Sequence, residues 1–354
     1  MVWLPTSSPR WRALRKVCSA ELFAPHRLTT NQSLRRDKVR QLVSHVERVA
    51  HGGMPVTVGR LTFATAINLL SSTIFSADVA NLDDSEGSSE SSFQGVLAEL
   101  NATVGLPNVS DFFPKIACLD PQGIRRRIEG LFQRLHDMID VRIELRLREC
   151  AATAGNGEPP ANKNFLDVLL DYRGADDGKG FDRQTLLSLL SDLFSAGTDT
   201  SAATVEWALA ELLLNPKCMA RARSELAQVL GSKPEVEESD IDKLKYLQAI
   251  VKETFRIHPP APLLLPHEEE NGGSAAGVDF RGRDFELLPF GSGRRMCHGM
   301  PLAHRMVHHM LASLLHRFEW RMRPEDEKNG LDMCERVGLN LAMAKPLQAM
   351  ATPV

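Results

Sequence analysis

The chain has 354 residues, with 42 Lys and Arg against 45 Asp and Glu for a net charge of −3, a balance that excludes a globally basic nucleic-acid binder and an acidic tail protein. At 43% apolar and 25% charged residues, a disordered or low-complexity chain is excluded as well. The six cysteines (Cys18, Cys118, Cys150, Cys218, Cys297, Cys334) are scattered without a Cys-x-x-Cys pair, which argues against a disulfide framework or zinc module and for a reducing, cytosol-facing environment.

The opening Met1-Val-Trp-Leu-Pro-Thr lacks a basic segment followed by an apolar one, so neither a signal peptide nor an anchor is expected. Residues 1–40 carry nine Lys or Arg and two Asp or Glu. This excess reads either as the solvated face of amphipathic helices or as a docking surface for an acidic partner. Apolar spacing predicts a mainly α chain with little strand, its helices at about 34–50, 60–76, 92–104, 122–149, 165–172, 183–214, 216–230, 240–257 and 300–316. The most apolar window, Leu61 to Ala77, contains Asn68, Ser71, Ser72 and Thr73 and is too short to span a bilayer, so the expected chain is soluble or at most peripheral. Arg125-Arg126-Arg127 reads as solvated surface. Polar, Gly- or Ser-rich breaks at Asp83 to Ser92, Ala154 to Lys163, Arg173 to Gly180 and Glu268 to Gly277 separate the helices. None resembles a long linker, so one domain over 1–354 is expected.

Three motifs carry chemistry. Phe290-Gly-Ser-Gly-Arg-Arg-Met-Cys297-His-Gly299-Met-Pro301 combines two turn glycines, Gly291 and Gly293, with a proline suited to a first helical turn. It sets Cys297 just before a helix start, where unpaired N–H groups favour a thiolate. Arg295 adds positive charge two residues earlier. Such a sulfur suits a metal ligand, a nucleophile or a redox centre. On the long helix 183–214, Ala196-Gly197-Thr198-Asp199-Thr200-Ser201 places a glycine and hydroxyls mid-helix, where glycine costs about 1 kcal/mol relative to alanine. Something must approach closely there, or the hydroxyls stabilise a kink. Glu253-Thr-Phe-Arg256 forms an i, i+3 pair worth about 0.2–0.5 kcal/mol on an exposed helix. His304 and His308, four apart, lack a third ligand or zinc motif and read as solvated.

In this order the three motifs resemble the cytochrome P-450 superfamily, the haem-thiolate monooxygenases, and in particular plant microsomal members similar to geraniol hydroxylase. The resemblance implies a cytochrome P-450-like helical fold with reduced β content. Haem b would bind with Cys297 as axial iron ligand, Phe290, Gly291, Gly293 and Gly299 would shape the loop, and Arg295 would pair with a propionate. Thr200 and Asp199 would deliver protons, and Ala196 and Gly197 would leave room for oxygen and substrate. Trp11 and Arg15, in a Trp-x-x-x-Arg pattern, would contact one propionate and His267 the other. Glu253 and Arg256 would form a buried structural ion pair. Electrons would come from NADPH through cytochrome P-450 reductase, and the substrate would be a small apolar molecule such as a terpenoid, attacked with O2. No nucleic acid is involved. The family implies the cytosolic face of the endoplasmic reticulum, whereas a chain without an anchor would contact the membrane only peripherally or stay cytosolic.

The chain departs from the family in two places. The anchor and first sheet region expected before Trp11 are absent, and Arg256 and Cys297 stand only 41 residues apart, which implies an internal deletion. No Pro-x-Arg-Phe element completes the Glu253–Arg256 pair, and His298 stands where plant members often have Pro. The alternative to a monooxygenase is therefore a truncated, inactive family fragment with weak or no haem binding. Oxygen-independent isomerase or dehydratase chemistry is disfavoured by Asp199-Thr200.

Overall fold

Apolar residues recurring every three or four positions become helices through most of the chain. The computed structural model describes residues 4–83, 92–155, 163–174, 178–262 and 287–354. Its elements are α1 (Pro9–Glu21), α2 (Pro25–Thr30), α3 (Gln32–His51), β1 (Val56–Thr57), α4 (Val58–Phe75), α5 (Phe93–Val104), α6 (Val109–Phe112), α7 (Ile124–Gly155), α8 (Phe165–Asp171), α9 (Arg183–Leu214), α10 (Pro216–Leu230), α11 (Glu238–Ile241), α12 (Lys245–Ile257), α13 (Met300–Arg317), β2 (Phe318–Met322), α14 (Pro324–Asn329), β3 (Glu335–Val337), β4 (Leu341–Met343) and β5 (Gln348–Pro353). The expected helices are present except that over 240–257, and among the described residues periodicity missed α1, α2 and the short α6 and α14.

One helix expected over 240–257 is instead two. The Asp240 side chain accepts the Glu237 N–H at 3.2 Å and Lys233 Nζ at 3.0 Å, which commits it to capping α11. Glu225 accepts the Tyr246 and Leu247 N–H groups at 2.7 and 3.0 Å and so starts α12 afresh.

The chain divides into two compact units. One comprises Met1–Thr29, Ile67–Gly197 and Val337–Leu339, and the other Thr30–Ala66, Thr198–Arg336 and Asn340–Val354. In the first, α5 packs along α7, burying Leu97, Leu100, Leu131, Leu135 and Ile139. Phe194 sits against Phe75 and Phe93 at centroid distances of 5.6 and 4.9 Å. Asn164 and Asp167 form a reciprocal cap on α8, and Arg146 grips the same Asp167 through two bonds of 2.8 and 2.7 Å. The end of α5 meets a tail crossing almost without clearance: a Cβ at Gly105 would lie 2.0 Å from the Gly338 carbonyl.

In the second unit the sheet runs β1-β5-β2, antiparallel throughout, with Val56 opposite Ala349 and Trp320 opposite Ala351. Helix α3 covers β5, and α13 packs against α3, α10, α11 and α12. Residues Met306 to Leu315 of α13 are all buried, so this helix is core on every side. A second pairing joins β3 to β4. Among the described helices, α4 is long and apolar enough to cross a membrane by length and composition, and 72% of it is buried inside the protein.

Gly105→Ala is expected to destabilise the chain by about 3 kcal/mol or more, because the new methyl meets backbone rather than a side chain that can swing away. Urea unfolding of the variant beside the parent measures this, and an unchanged midpoint would refute the close approach.

Candidate haem-thiolate site

The cysteine loop is shaped by its glycines. Gly291 and Gly293 have φ of +67° and +63°, a region that side-chain-bearing residues rarely adopt. A Cβ at either would stand in open space, so conformation rather than crowding requires glycine there. The Gly291 N–H donates to Leu288 O at 3.0 Å, a 3-10 turn over Gly293–Arg295 follows, and the Cys297 N–H donates back to Phe290 O at 2.9 Å. The Cys297 side chain is thereby carried to an exposed position two residues ahead of Gly299, which caps α13, with Pro301 in that helix's first turn. Arg295 is half-buried. Phe290 is also half-buried, and its ring stands edge-on to Phe255 at 5.3 Å and 76°. The loop therefore rests on α12 through an aromatic contact that leaves the sulfur uncovered.

Glu253 and Arg256 are on that same helix and pair bidentately at 2.7 and 2.9 Å. The expected burial is not found: their side chains are 55% and 61% exposed. Helix α12 buries Leu247, Val251, Thr254 and Phe255, and the ion pair faces away from that stripe. Arg256 holds the Glu253 carboxyl below its ordinary range.

On α9, Ala196 is exposed, Gly197, Asp199 and Thr200 are partly exposed, and Thr198 is fully buried. The room expected at Gly197 is taken: a Cβ there would lie 2.7 Å from Leu70 Cδ1. The close approach is thus a packing contact from α4, not space for oxygen. Thr204 Oγ1 donates to Thr200 O at 2.8 Å.

Three further residues join the motifs, and no sequence pattern singled them out. Trp207 of α9 stacks flat on His258 at 3.9 Å and 6°, and His258 Nε2 lies 2.9 Å from Glu211 Oε1, to which it donates. His258 directly follows α12. The helix bearing Asp199 and Thr200 is thus tied to the end of α12, and α12 through Phe255 to the cysteine loop. The only sequence signal was the pairing of Trp207 and Glu211 at i, i+4 on a core helix.

Trp11 and Arg15 lie one turn apart on α1, with the guanidinium 5.5 Å from the Trp11 ring centre. They belong to the first unit, and Cys297 to the second. His267 lies outside the described residues. The pair His304 and His308 is not solvated as expected: His308 is 2% exposed, and burial, with the neighbouring His304, pushes its pKa down to about 3. Arg125, Arg126 and Arg127 are exposed and paired with Glu129, Asp120 and Glu99.

The family model for cytochrome P450 matches residues 3–281 and 268–346. The chain belongs to the cytochrome P450 family. It is 39% identical to cytochrome P450 76C2 of Arabidopsis thaliana, over 99% of this chain and 75% of that protein. It is 38% identical to geraniol 8-hydroxylase of Swertia mussotii, over 100% of this chain and 77% of that protein. A crystal structure of a cytochrome P450, CYP102L1, matches with a TM-score of 0.73 at 21% identity, covering 100% of this chain and 81% of that one, and shares the mainly α fold. The activity class of this P450 chain is haem-thiolate monooxygenation, and the family implies haem. The donor chemistry fits that group: an exposed thiol at a helix start, open space over the two loop glycines, and a guanidinium two residues away.

The neutral His308 ring gives a pH signature. Its folded pKa lies below the unfolded value near 6.5, so its contribution is complete above pH 6.5 and is lost as pH falls toward 3, at about 1.4 kcal/mol per unit. His308→Gln should flatten this part of the stability profile in urea titrations at several pH values, and an unchanged slope would exclude His308 as its source.

Proposed function

We propose that this P450 chain inserts one oxygen atom from O2 into a small apolar terpenoid, using haem b held on Cys297 and electrons delivered from NADPH by a cytochrome P-450 reductase. The observation that carries the reading is the exposed Cys297 sulfur on a glycine-shaped turn at the start of α13, anchored through Phe290 and Phe255 to α12. Relatives named geraniol 8-hydroxylase at 38% identity support the substrate class.

Haem bound there supplies the iron at which O2 is activated. The chain's residues do the rest. Cys297 binds as thiolate, and the loop N–H groups and the start of α13 moderate its charge. Arg295 would pair with a propionate. Thr200 Oγ1 holds a water beside α9, and the Asp199 carboxyl passes a proton to that water. Ala196, exposed and small, leaves that surface of the helix open to substrate. The Glu253–Arg256 pair stiffens α12 from its solvent side.

We assign the chain to the cytosolic face of the endoplasmic reticulum as a peripheral protein. Phe112, Phe113 and Leu119 are 73%, 62% and 71% exposed within eight residues, with Lys115 among them, a pattern suited to a bilayer interface. The basic first forty residues suit the acidic face of a reductase.

The solvent-facing Glu253–Arg256 pair favours one second reading, a family fragment with little or no haem. Haem quantitation and the ferrous–carbon monoxide spectrum of the purified chain separate the two. Stoichiometric haem with a red-shifted thiolate Soret band, lost in Cys297→Ser, is expected. Haem-free protein from a haem-supplemented host would establish the fragment reading. For the location, Phe112→Ser with Phe113→Ser should reduce co-sedimentation with phosphatidylcholine vesicles at least tenfold, and undiminished binding would discount that surface.

A further inference from the structure

Glu206 has no part in the reading above, yet it is the most deeply buried carboxylate on α9. It stands seven residues after Asp199, two turns along the same helical face, and is 6% exposed. Its Oε1 accepts the Leu347 N–H at 2.8 Å, and the Gly59 N–H donates to the same carboxyl group. Gly59 is the second residue of α4, and Leu347 leads into β5. These two segments are themselves joined, since the Val58 N–H donates to Leu347 O at 2.9 Å. A Cβ at Gly59 would lie 2.4 Å from Glu206 Oε1. The glycine is thus the cavity wall that lets a helix in the core present its side chain to another helix's unpaired N-terminal N–H groups.

The clamp falls just beyond the catalytic cassette. Between Thr200 and Glu206 the outer bonds of α9 include Thr204 Oγ1 to Thr200 O at 2.8 Å, Thr62 Oγ1 to Ala202 O at 3.4 Å, and the two N–H groups on Glu206. Two of these four, from Thr62 and Gly59, reach α4. The charged groups whose fields meet Glu206 are Asp199 on its own helix and Arg336 on β3, while α4 and the lead-in to β5 present backbone N–H groups. Burial dominates and pushes the carboxyl up to about 7. The Leu347 N–H opposes this, Asp199 adds to it, and Gly59 and Arg336 oppose it.

We propose that Glu206 is a positioning residue for the Asp199–Thr200 pair, pinning the rotation of α9 to Gly59 and Leu347 while its charge state is coupled to that of Asp199. The proposal rests on the assignment of Asp199 and Thr200 to proton delivery, and it assigns the clamp and the coupling to a carboxylate outside the motif.

The sign of the pH effect follows from burial. A carboxyl whose folded pKa is raised from 4.5 to about 7 contributes its full stability below pH 4.5, and that stability is lost as pH rises through 7. Thermal unfolding of the purified holo-chain from pH 4 to 8.5 should therefore show stability falling from about pH 4.5 and levelling off near 7, a fall absent in Glu206→Gln. Asp199→Asn, which removes the neighbouring charge, should move the upper end of that fall to lower pH by roughly one unit. A fall that stays in place would overturn the coupling. For positioning, product formed per NADPH consumed is compared at pH 6, where the parent carboxyl is neutral. Glu206→Ala should lose coupling about tenfold, and Glu206→Gln, which keeps an acceptor for the Leu347 N–H, should restore most of it. Full coupling in Glu206→Ala would overturn the positioning role. Failure of the functional reading looks different: the Soret signature is then missing in parent and variants alike, whatever the unfolding profiles do.

Discussion

The flat contact between Trp207 and His258 is the constraint on which the second unit's chemistry depends. Two rings at 3.9 Å and 6° leave little freedom to slide, and the Glu211 carboxylate fixes the imidazole's in-plane rotation from Nε2. An aromatic contact of this kind is worth about 0.5–1.5 kcal/mol beyond its buried area, modest as energy. Its effect is geometric. It joins the end of α12 to the middle of α9, and the edge-on Phe255–Phe290 contact carries the constraint to the cysteine loop. The Cys297 side chain is exposed, and the loop that carries it is held from behind.

Burial decides which charges matter. The Glu253–Arg256 pair has good bidentate geometry, but both side chains are more than half exposed, where Coulomb attraction is screened and holding two long side chains costs entropy. Arg146 with Asp167 has the same chemistry at 16% and 6% exposure and closes a helix cap, so losing either partner strands a charge in the interior. Glu206 is a third case, buried without a side-chain cation in hydrogen-bond contact and held by backbone N–H groups. Spacing in a sequence reveals that a Glu and an Arg three positions apart will meet. It does not reveal which side of the helix faces water when the segment that would cover it is far away in the chain.

That distinction also separates what was legible in the sequence from what was not. Long helices were legible because their apolar stripes repeat locally. The break between α11 and α12 was not, because the groups that cap it come from Lys233 and Glu225, outside the window in which periodicity is judged. The cysteine loop was legible because glycines with positive φ, a proline and a cysteine form a pattern with no ordinary packing explanation. Trp207, Glu206 and His258 look unremarkable in sequence, and their meaning comes from partners 51, 141 and 47 residues away. His308 misled for a related reason: a histidine four residues from another on a helix reads as surface, but α13 is enclosed by α3, α10, α11 and α12, so even its polar positions are core.

The glycines show why a motif's residue type is weaker evidence than its surroundings. At Gly291 the backbone demands glycine and the space beyond is open, so a substitution strains the turn and leaves the ligand-facing surface to be filled. At Gly197 the φ angle is ordinary and the demand comes from Leu70, 2.7 Å from where a Cβ would be. A larger residue there displaces α4 rather than blocking a channel. At Gly59 the demand comes from the Glu206 carboxylate. All three are requirements for absent atoms, but only the first bears directly on what sits over the sulfur. The other two act at a distance, by setting how α9 lies against α4, and through that helix they reach Asp199 and Thr200.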